Sequence, residues 1–168
     1  MVNFSRWLKH LFTSPWAWRH AFPQATLDAI EAAIRQSETR HSGEIRFAIE
    51  TSLAPAWVWR GMSGRERAVE MFSQLRVWDT ADNSGVLVYL LLADHDIEIV
   101  ADRGIAARVN QAQWEAVAQA METAFRQGEF ERGALEGIRQ IDALLALYFP
   151  SADHNPDELA DRPVIISQ

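Results

Sequence analysis

Residues 83–104 read NSGVLVYLLLADHDIEIVADRG, and this stretch decides the fold. Val86 to Leu92 is an unbroken apolar run, which is typical of a strand covered on both faces. Ala93 to Asp96 is a polar turn, and Ile97 to Ala101 follows as the return strand of a hairpin. The stretch therefore predicts a central strand with an antiparallel neighbour.

A second strand precedes this hairpin in the chain, with a helix between them. Glu44 to Glu50 alternates polar and apolar side chains, which indicates a strand. Ser63 to Glu66 has the capping-box pattern, and the apolar spacing after it predicts a helix that runs to about Trp78. Because strand, helix and strand in this order form a crossover, the two strands should be parallel. We predict an α/β fold with a small mixed sheet, made of a parallel βαβ crossover plus an antiparallel hairpin.

Helices with apolar faces flank these elements and set the limits of the domain. One is predicted to begin at Pro23, another is capped by Asn110, and Gly128 separates the latter from a third. The α/β domain is therefore expected to span residues 23–150. Residues 151–168 have one basic and four acidic residues and few large apolar ones, so we expect a mobile acidic tail.

Residues 1–22 form an amphipathic, Trp-rich arm ahead of the domain. The arm is predicted to begin with a short helix whose apolar face consists of Phe4, Trp7, Leu8, Leu11 and Phe12. Two aromatic anchors, Trp16 and Trp18, follow in an extended portion. The arm has three basic residues and no acidic ones. It therefore either packs on the domain or makes peripheral contact with an anionic membrane surface.

Composition excludes several classes of function. The chain has 168 residues, a length typical of one domain. It has no cysteine, which excludes disulfides, thiolate metal sites and a cysteine nucleophile. Its net charge of −7 offers no basic surface for a phosphate backbone, so we expect no nucleic-acid partner. Because no apolar run could span a bilayer and no signal-peptide pattern occurs, we expect a cytoplasmic protein.

Acidic loops are predicted to meet at one edge of the sheet. The parallel strands begin at this edge, and the return strand of the hairpin ends there. The carboxylates that these loops carry are Glu44, Asp79, Asp82 and Asp102. Close carboxylates repel one another, and calcium, which takes about six to eight oxygen ligands, would relieve that repulsion. The same residue types also form ordinary turns and helix caps, so both interpretations remain open.

Four segments of this region resemble the TPM domain family, a group that includes a plant thylakoid-lumen protein involved in photosystem II repair. The segments are GEIRF at 43–47, RVWDT at 76–80, NSGVLVYL at 83–90 and EIVADRG at 98–104. The resemblance covers about Pro23 to Pro150. Since neither a signal peptide nor a C-terminal transmembrane helix is found, the chain is most similar to a short cytosolic branch of bacterial members.

The resemblance implies a three-layer α/β/α sandwich that binds calcium or another divalent cation through loops near the sheet edge. The loop positions that match the family are Asp79, Asp82, Asn83 and Asp102. With Glu44 from the loop geometry, these five residues are the predicted metal ligands. The resemblance also implies a weak acid phosphatase activity, which is attributed to some members.

We therefore expect a calcium-binding domain that acts as an interaction or scaffolding module with protein partners, membrane-associated ones among them. The alternative is a weak metal-dependent acid phosphatase that acts on phosphate monoesters. No catalytic residue can be assigned from the sequence. The five histidines include no pair at i, i+4 spacing, no phosphate-binding glycine loop occurs, and Asp94-His95-Asp96 is explained more simply as a turn.

Overall fold

The computed structural model describes residues 3–151 and 156–166. Eight helices and four strands follow one another within these ranges. Their bounds, in chain order, are α1 (Phe4–Phe12), α2 (Ala17–Ala21), α3 (Gln24–Ser37), β1 (Glu44–Glu50), α4 (Pro55–Trp59), α5 (Gly64–Gln74), β2 (Gly85–Leu91), β3 (Asp96–Ala101), α6 (Arg103–Ala106), α7 (Gln111–Arg126), α8 (Phe130–Tyr148) and β4 (Val164–Ile166). A 3-10 turn at Leu92–Asp94 links β2 to β3.

The four strands form one mixed sheet in the order β3-β2-β1-β4. β1 pairs with β2 in parallel, with Phe47 opposite Val88, and β2 pairs with β3 antiparallel, with Val88 opposite Ile99. The predicted crossover and the predicted hairpin are both confirmed. His95 closes the hairpin turn in the left-handed backbone region, with a φ of 53°.

Alternate side chains of the sheet enter two cores, one on each face. The first core joins the sheet to α3, α7 and α8 and contains Ile30 and Ile138. The second core joins the opposite face to α4 and α5 and contains Met71. β2 is buried along its whole length because Val88 enters the first core and Tyr89 the second. The architecture is therefore the three-layer α/β/α sandwich that the resemblance implies.

The helices that position the loops begin where the sequence predicts. Ser63 and Glu66 form a reciprocal capping box at the start of α5, and Asn110 and Gln113 form another at the start of α7. Each box satisfies backbone N–H groups that have no partner within the helix. None of the helices in the described ranges combines the length and the apolar character that crossing a bilayer requires.

The arm packs on the domain, and its second part differs from the prediction. α1 contacts α4 and the 3-10 turn. The stretch around Trp16 and Trp18 is predicted from its sequence to be extended, but Trp16 is the N-cap of α2 and Trp18 lies within that helix. Phe22 follows α2 and is fully buried, with its ring 6.0 Å from that of Phe125. Anchoring of Phe22 in the first core brings α2 close to the domain, a long-range contact that the local pattern does not contain.

The expectation of a mobile tail is corrected for residues 156–166. Val164–Ile166 forms β4, which pairs with β1 in parallel, and Ile165 packs against the first core. Arg162 binds Asp28 and Glu31 on α3 at 3.1 and 2.7 Å. A three-residue strand is too short to show a periodic pattern, and its partners lie far away in the sequence. Residues 152–155 and 167–168 of the predicted tail lie outside the described ranges.

Candidate metal centre

The loops predicted to converge do meet at one edge of the sheet. The backbone N–H of Glu44 donates to the carbonyl of Ser84 at 3.0 Å. The N–H of Asp102 donates to the carbonyl of Gly85 at 2.8 Å. The loops before β1, before β2 and after β3 are therefore joined by backbone hydrogen bonds.

Gly104 sets how closely two of these loops approach. Its N–H donates to the carbonyl of Asn83 at 3.2 Å. A Cβ atom at position 104 would lie 2.6 Å from the carbonyl oxygen of Asn83 and 2.7 Å from that of Asp82. Because real Cβ atoms do not approach backbone this closely, only glycine fits without a shift of one loop. The two carbonyls are thus packed directly against the neighbouring loop.

The predicted acidic side chains are not gathered around one point. Asp79 is exposed and forms an ion pair with Arg76 at 2.5 Å. Asp82 is also exposed. Of the five predicted ligands, only Glu44 belongs to a group of carboxylates that lie close enough, within the described ranges, to share one ion.

Arg103 engages two more of the predicted ligands. Its Nε donates to Oδ1 of Asn83 at 3.0 Å, and its backbone N–H donates to Oδ1 of Asp102 at 2.7 Å. Asp102 thereby acts as the N-cap of the short α6. Its second oxygen, Oδ2, is buried and has no hydrogen-bond partner. These contacts are mainly those of turn and cap residues.

A different acidic cluster lies beside Glu44, and it consists of Glu38, Glu44 and Asp157. One carboxylate oxygen from each lies within 4.8 Å of the other two. Glu38 is the C-cap of α3, Glu44 is the first residue of β1, and Asp157 lies in the segment that leads into β4. Two neighbouring elements and one distant segment therefore each contribute one carboxylate to the acidic cluster.

Glu44 is the most deeply buried member, with 1% of its surface exposed. Its Oε2 accepts hydrogen bonds from the backbone N–H groups of Glu158 and Leu159 at 3.1 and 3.0 Å. Its other oxygen, Oε1, is buried and has no hydrogen-bond partner. Burial raises the pKa of Glu44 to about 7, against the two N–H groups that lower it.

The other two members also have pKa values above the usual range. Burial raises the pKa of Glu38 to about 9, although the N–H of Ile45, which donates to Oε1 at 2.9 Å, favours the charged form. The Glu44 and Asp161 carboxylates raise it further. Burial and the charge of Asp161 raise the pKa of Asp157. The acidic cluster therefore disfavours its own fully ionised state.

Two events can relieve this charge repulsion. The carboxylates can take up protons, and a hydrogen bond shared with Asp161 favours the protonated form of Glu38. Alternatively, a divalent cation can bind, and hard cations such as calcium and magnesium prefer carboxylate oxygens. The donor set fits such an ion, because Glu44 contributes an oxygen that is buried and has no hydrogen-bond partner.

Sequence reasoning missed Glu38 and Asp157 as candidate ligands. Glu38 follows a helix and resembles any exposed C-terminal glutamate, while Asp157 lies in the stretch expected to be mobile. The one available signal was the apolar triplet Val164–Ile166, which indicates that the acidic stretch before it returns to the sheet. That signal was too short to be decisive.

Comparison with known proteins identifies similar chains. A sequence model of the TPM domain matches residues 19–144. The NMR structure of the BA42 protein from the psychrophilic bacterium Bizionia argentinensis is 31% identical, with a TM-score of 0.74 over 84% of this chain and 92% of that one. The N-terminal domain of a protein from P. gingivalis is 16% identical, with a TM-score of 0.63 over 78% of this chain and 82% of that one. This likeness shows the fold alone. No curated protein matches.

Proposed function

This chain belongs to the TPM domain family, and on that premise we propose that it binds a divalent cation, calcium foremost, in the acidic cluster. The domain would also act as an interaction or scaffolding module for protein partners. Glu38, Glu44 and Asp157 would hold the ion. The bound ion would supply positive charge that offsets the repulsion among the three carboxylates, and would thereby stabilise the contact of the β4 segment with β1.

The observation that carries the proposal is the buried Oε1 atom of Glu44, which lacks a hydrogen-bond partner. A buried polar atom without a partner is unfavourable by about 1–3 kcal/mol, and more when the group is charged. Oε1 belongs to a residue whose neighbours, Glu38 and Asp157, are also carboxylates within reach of one ion. A cation at this point would satisfy the free oxygen and offset the mutual repulsion together.

The surrounding contacts hold the ligand-bearing segment in place without using the cluster. The Arg46 guanidinium donates from NH1 to the carbonyls of Ala160 and Arg162 at 2.6 and 2.7 Å. Arg35 binds Asp161 at 3.1 Å. Both arginines fix residues 160–162, so Asp157 is presented from a segment that is already attached to the domain. Such pre-organisation lowers the entropy lost when an ion binds.

The scaffolding part of the proposal is supported by exposed apolar side chains on the α5 side of the domain. Trp78 and Val69 each have 48% of their surface exposed. Tryptophan is enriched among the residues that contribute most to protein interfaces. In α4, Trp57 packs against the second core and Trp59 is 56% exposed. These surfaces suit contact with protein partners.

Calcium titration of the full chain tests the metal proposal through the thermal midpoint. An ion that binds only the folded state adds about 2.7 kcal/mol at a hundred times its Kd, which corresponds to a rise of about 5–10 °C. Glu44→Gln keeps an acceptor for the Glu158 and Leu159 amides but removes the charge, so it should abolish the rise. Asp82→Asn, in the loop that the sequence favoured, should respond as the parent does.

Each outcome of this titration has a definite meaning. A parent that does not respond to millimolar calcium or magnesium contradicts metal binding. A rise that survives Glu44→Gln but is lost in Asp82→Asn moves the site to the loop at 79–85. A rise that both variants retain rejects both locations.

Weak acid phosphatase activity is the alternative, and the contacts support it less well. Catalysis would need cationic groups free to bind the phosphoryl oxygens. Two arginines could serve as such groups, and both already have partners. Arg46 donates to the carbonyls of Ala160 and Arg162, and Arg103 donates to Asn83. Hydrolysis of a generic phosphate monoester at mildly acidic pH, abolished by chelator and by Asp82→Ala, would instead establish the enzyme. We expect no turnover above a blank.

A further inference from the structure

The amphipathic helix α1 is attached to the domain by its polar side together with Trp7, which is half-buried and packs against the second core. Arg6 donates from Nε to Oδ2 of Asp94 at 2.8 Å and from NH1 to the carbonyl of Met62 at 2.7 Å. His10 lies 3.0 Å from the same Asp94 oxygen through Nε2. A helix on the surface of a globular protein usually turns its apolar side inward, so this orientation requires an explanation.

His10 determines the orientation of α1 on the domain. It is 2% exposed, and its Nδ1 accepts a hydrogen bond from the backbone N–H of Leu53 at 2.9 Å. Since Nδ1 is the acceptor, Nε2 carries the proton and donates to Asp94. Because His10 is buried, makes two hydrogen bonds and lies one turn after Arg6, it fixes the rotation of α1 about its axis.

Trp7 and Leu8 are half-buried, and the other apolar side chains of α1 face outward. On this side Phe4 is 60% exposed, Leu11 44% and Phe12 77%, and Trp16, just after the helix, is 62% exposed. We call these four residues, three of which are aromatic, the aromatic face. Positions 4, 11 and 12 lie on the side of the helix opposite Arg6 and His10, at about 100° per residue. Several large apolar side chains exposed in one short segment are typical of an interaction site.

The charges around the aromatic face indicate what covers it. Lys9 has half of its side chain exposed, with its ammonium 3.9 Å from Oδ1 of Asp94, and Arg19 stacks over the Trp16 ring at 4.2 Å. Residues 1–22 contain no acidic residue, and Asp94 beneath the helix is bonded to Arg6 and His10. The face therefore has a positive rim in a protein whose net charge is −7. A second copy docked by the same face would place two positive rims together, whereas an anionic lipid surface complements both the apolar residues and the charge.

We propose that α1 and Trp16 dock this protein onto anionic lipid membranes, with the aromatic face inserted at the headgroup boundary. Arg6 and His10 hold α1 on the domain so that its apolar side meets the bilayer. Lys9 and Arg19 interact with the anionic headgroups. Because a single short helix binds membranes weakly, the attachment is reversible. The inference does not depend on metal binding.

Flotation of the full chain with vesicles tests the proposal. Vesicles of phosphatidylglycerol and phosphatidylcholine in equal parts should carry the protein at millimolar lipid, and vesicles of phosphatidylcholine alone should carry at least about fivefold less. The double variant Leu11→Ser/Phe12→Ser should lower the partition coefficient by about tenfold or more, because two large apolar side chains no longer enter the lipid. Salt at about 1 M, where the Debye length is about 3 Å, should also weaken binding.

A matched control is available on the same protein. Val69→Ser/Leu147→Ser removes two apolar side chains that are 48% and 70% exposed but lie outside the arm, so it should bind as the parent does. Circular dichroism melting verifies that both double variants fold. The proposal is overturned if the parent does not float, if both double variants bind alike, or if light scattering shows a dimer that only Leu11→Ser/Phe12→Ser disrupts.

Discussion

Oε2 of Glu44 accepts a hydrogen bond from the backbone N–H of Leu159 at 3.0 Å, and the two residues are 115 positions apart. The first residue of β1 therefore holds the segment that leads into β4. The acidic cluster, the sheet edge and the C-terminal strand form one unit through this bond. A change in the charge of Glu44 should consequently affect both ion binding and the attachment of β4.

In the absence of divalent ions, the free energy of unfolding should fall as the pH rises from about 4.5 to about 7. Glutamates in the unfolded chain titrate near 4.5, while the folded protein holds the pKa of Glu44 at about 7 and that of Glu38 at about 9. In this window the unfolded state binds fewer protons than the folded state, so stability decreases with pH. Denaturation in chelator at a series of pH values measures the slope.

Glu44→Gln should flatten this slope, since glutamine does not titrate. Glu115→Gln, on the exposed side of α7, is the matched control and should retain the parent's profile. Calcium added at pH 8 should restore stability to the parent but not to Glu44→Gln. Equal slopes for the parent and Glu44→Gln would show that Glu44 does not hold its proton in the folded state.

Arg67→Ala should lower the free energy of unfolding by about 3–5 kcal/mol, because it removes the ion-pair partner of the buried Glu50 carboxylate. Glu50 is fully buried, and Arg67 binds its two oxygens at 2.9 and 3.0 Å. Tyr89 donates to Glu50 at 2.6 Å. Arg139→Ala removes an exposed partner of Glu136 and should change stability by less than about 1 kcal/mol.

Urea denaturation of these variants measures both effects. Adding Glu50→Gln to Arg67→Ala should recover part of the lost free energy of unfolding, since the buried charge of Glu50 is then removed. If Arg67→Ala is as mild as Arg139→Ala, the buried pair contributes little, and the second core would be held by apolar contacts alone.

Ile165→Asp should destabilise the protein by about 1–3 kcal/mol and weaken its response to calcium. The substitution places a charge where Ile165 packs against the first core, and it loosens the strand that follows Asp157. Leu147→Asp, at a position that is 70% exposed, should stay within about 0.5 kcal/mol of the parent. Matching melting curves for these two variants would mean that β4 is not held on the sheet in solution.

Much of the fold follows from local patterns in the sequence. The apolar run of β2, the alternation of β1 and the capping residues Ser63 and Asn110 each specify an element through contacts within a few residues. Because a crossover and a hairpin constrain strand direction, these elements also predict the mixed sheet and the edge at which the loops meet.

Local sequence patterns do not predict all the side-chain contacts of the polar residues in those loops. Topology brings the backbone of 83–85 to Glu44 and Asp102, but neighbouring arginines decide the contacts of the side chains. Arg76 binds Asp79, and Arg103 binds Asn83. The first pair is only three residues apart, whereas the second joins residues 20 positions apart, so no local spacing rule anticipates it.

The sequence by itself determined the α/β class, the strand directions and the order of the main helices, since these depend on periodicity and on short connections. Only the tertiary structure decided that Glu38 and Asp157 join Glu44, that residues 164–166 complete the sheet, and that α1 turns its polar side inward. Apart from the approach of Glu38 to Glu44, which are close in sequence, each of these depends on contacts between residues far apart in the chain. Such contacts arise from burial and charge pairing in three dimensions, which leave no regular pattern along the sequence.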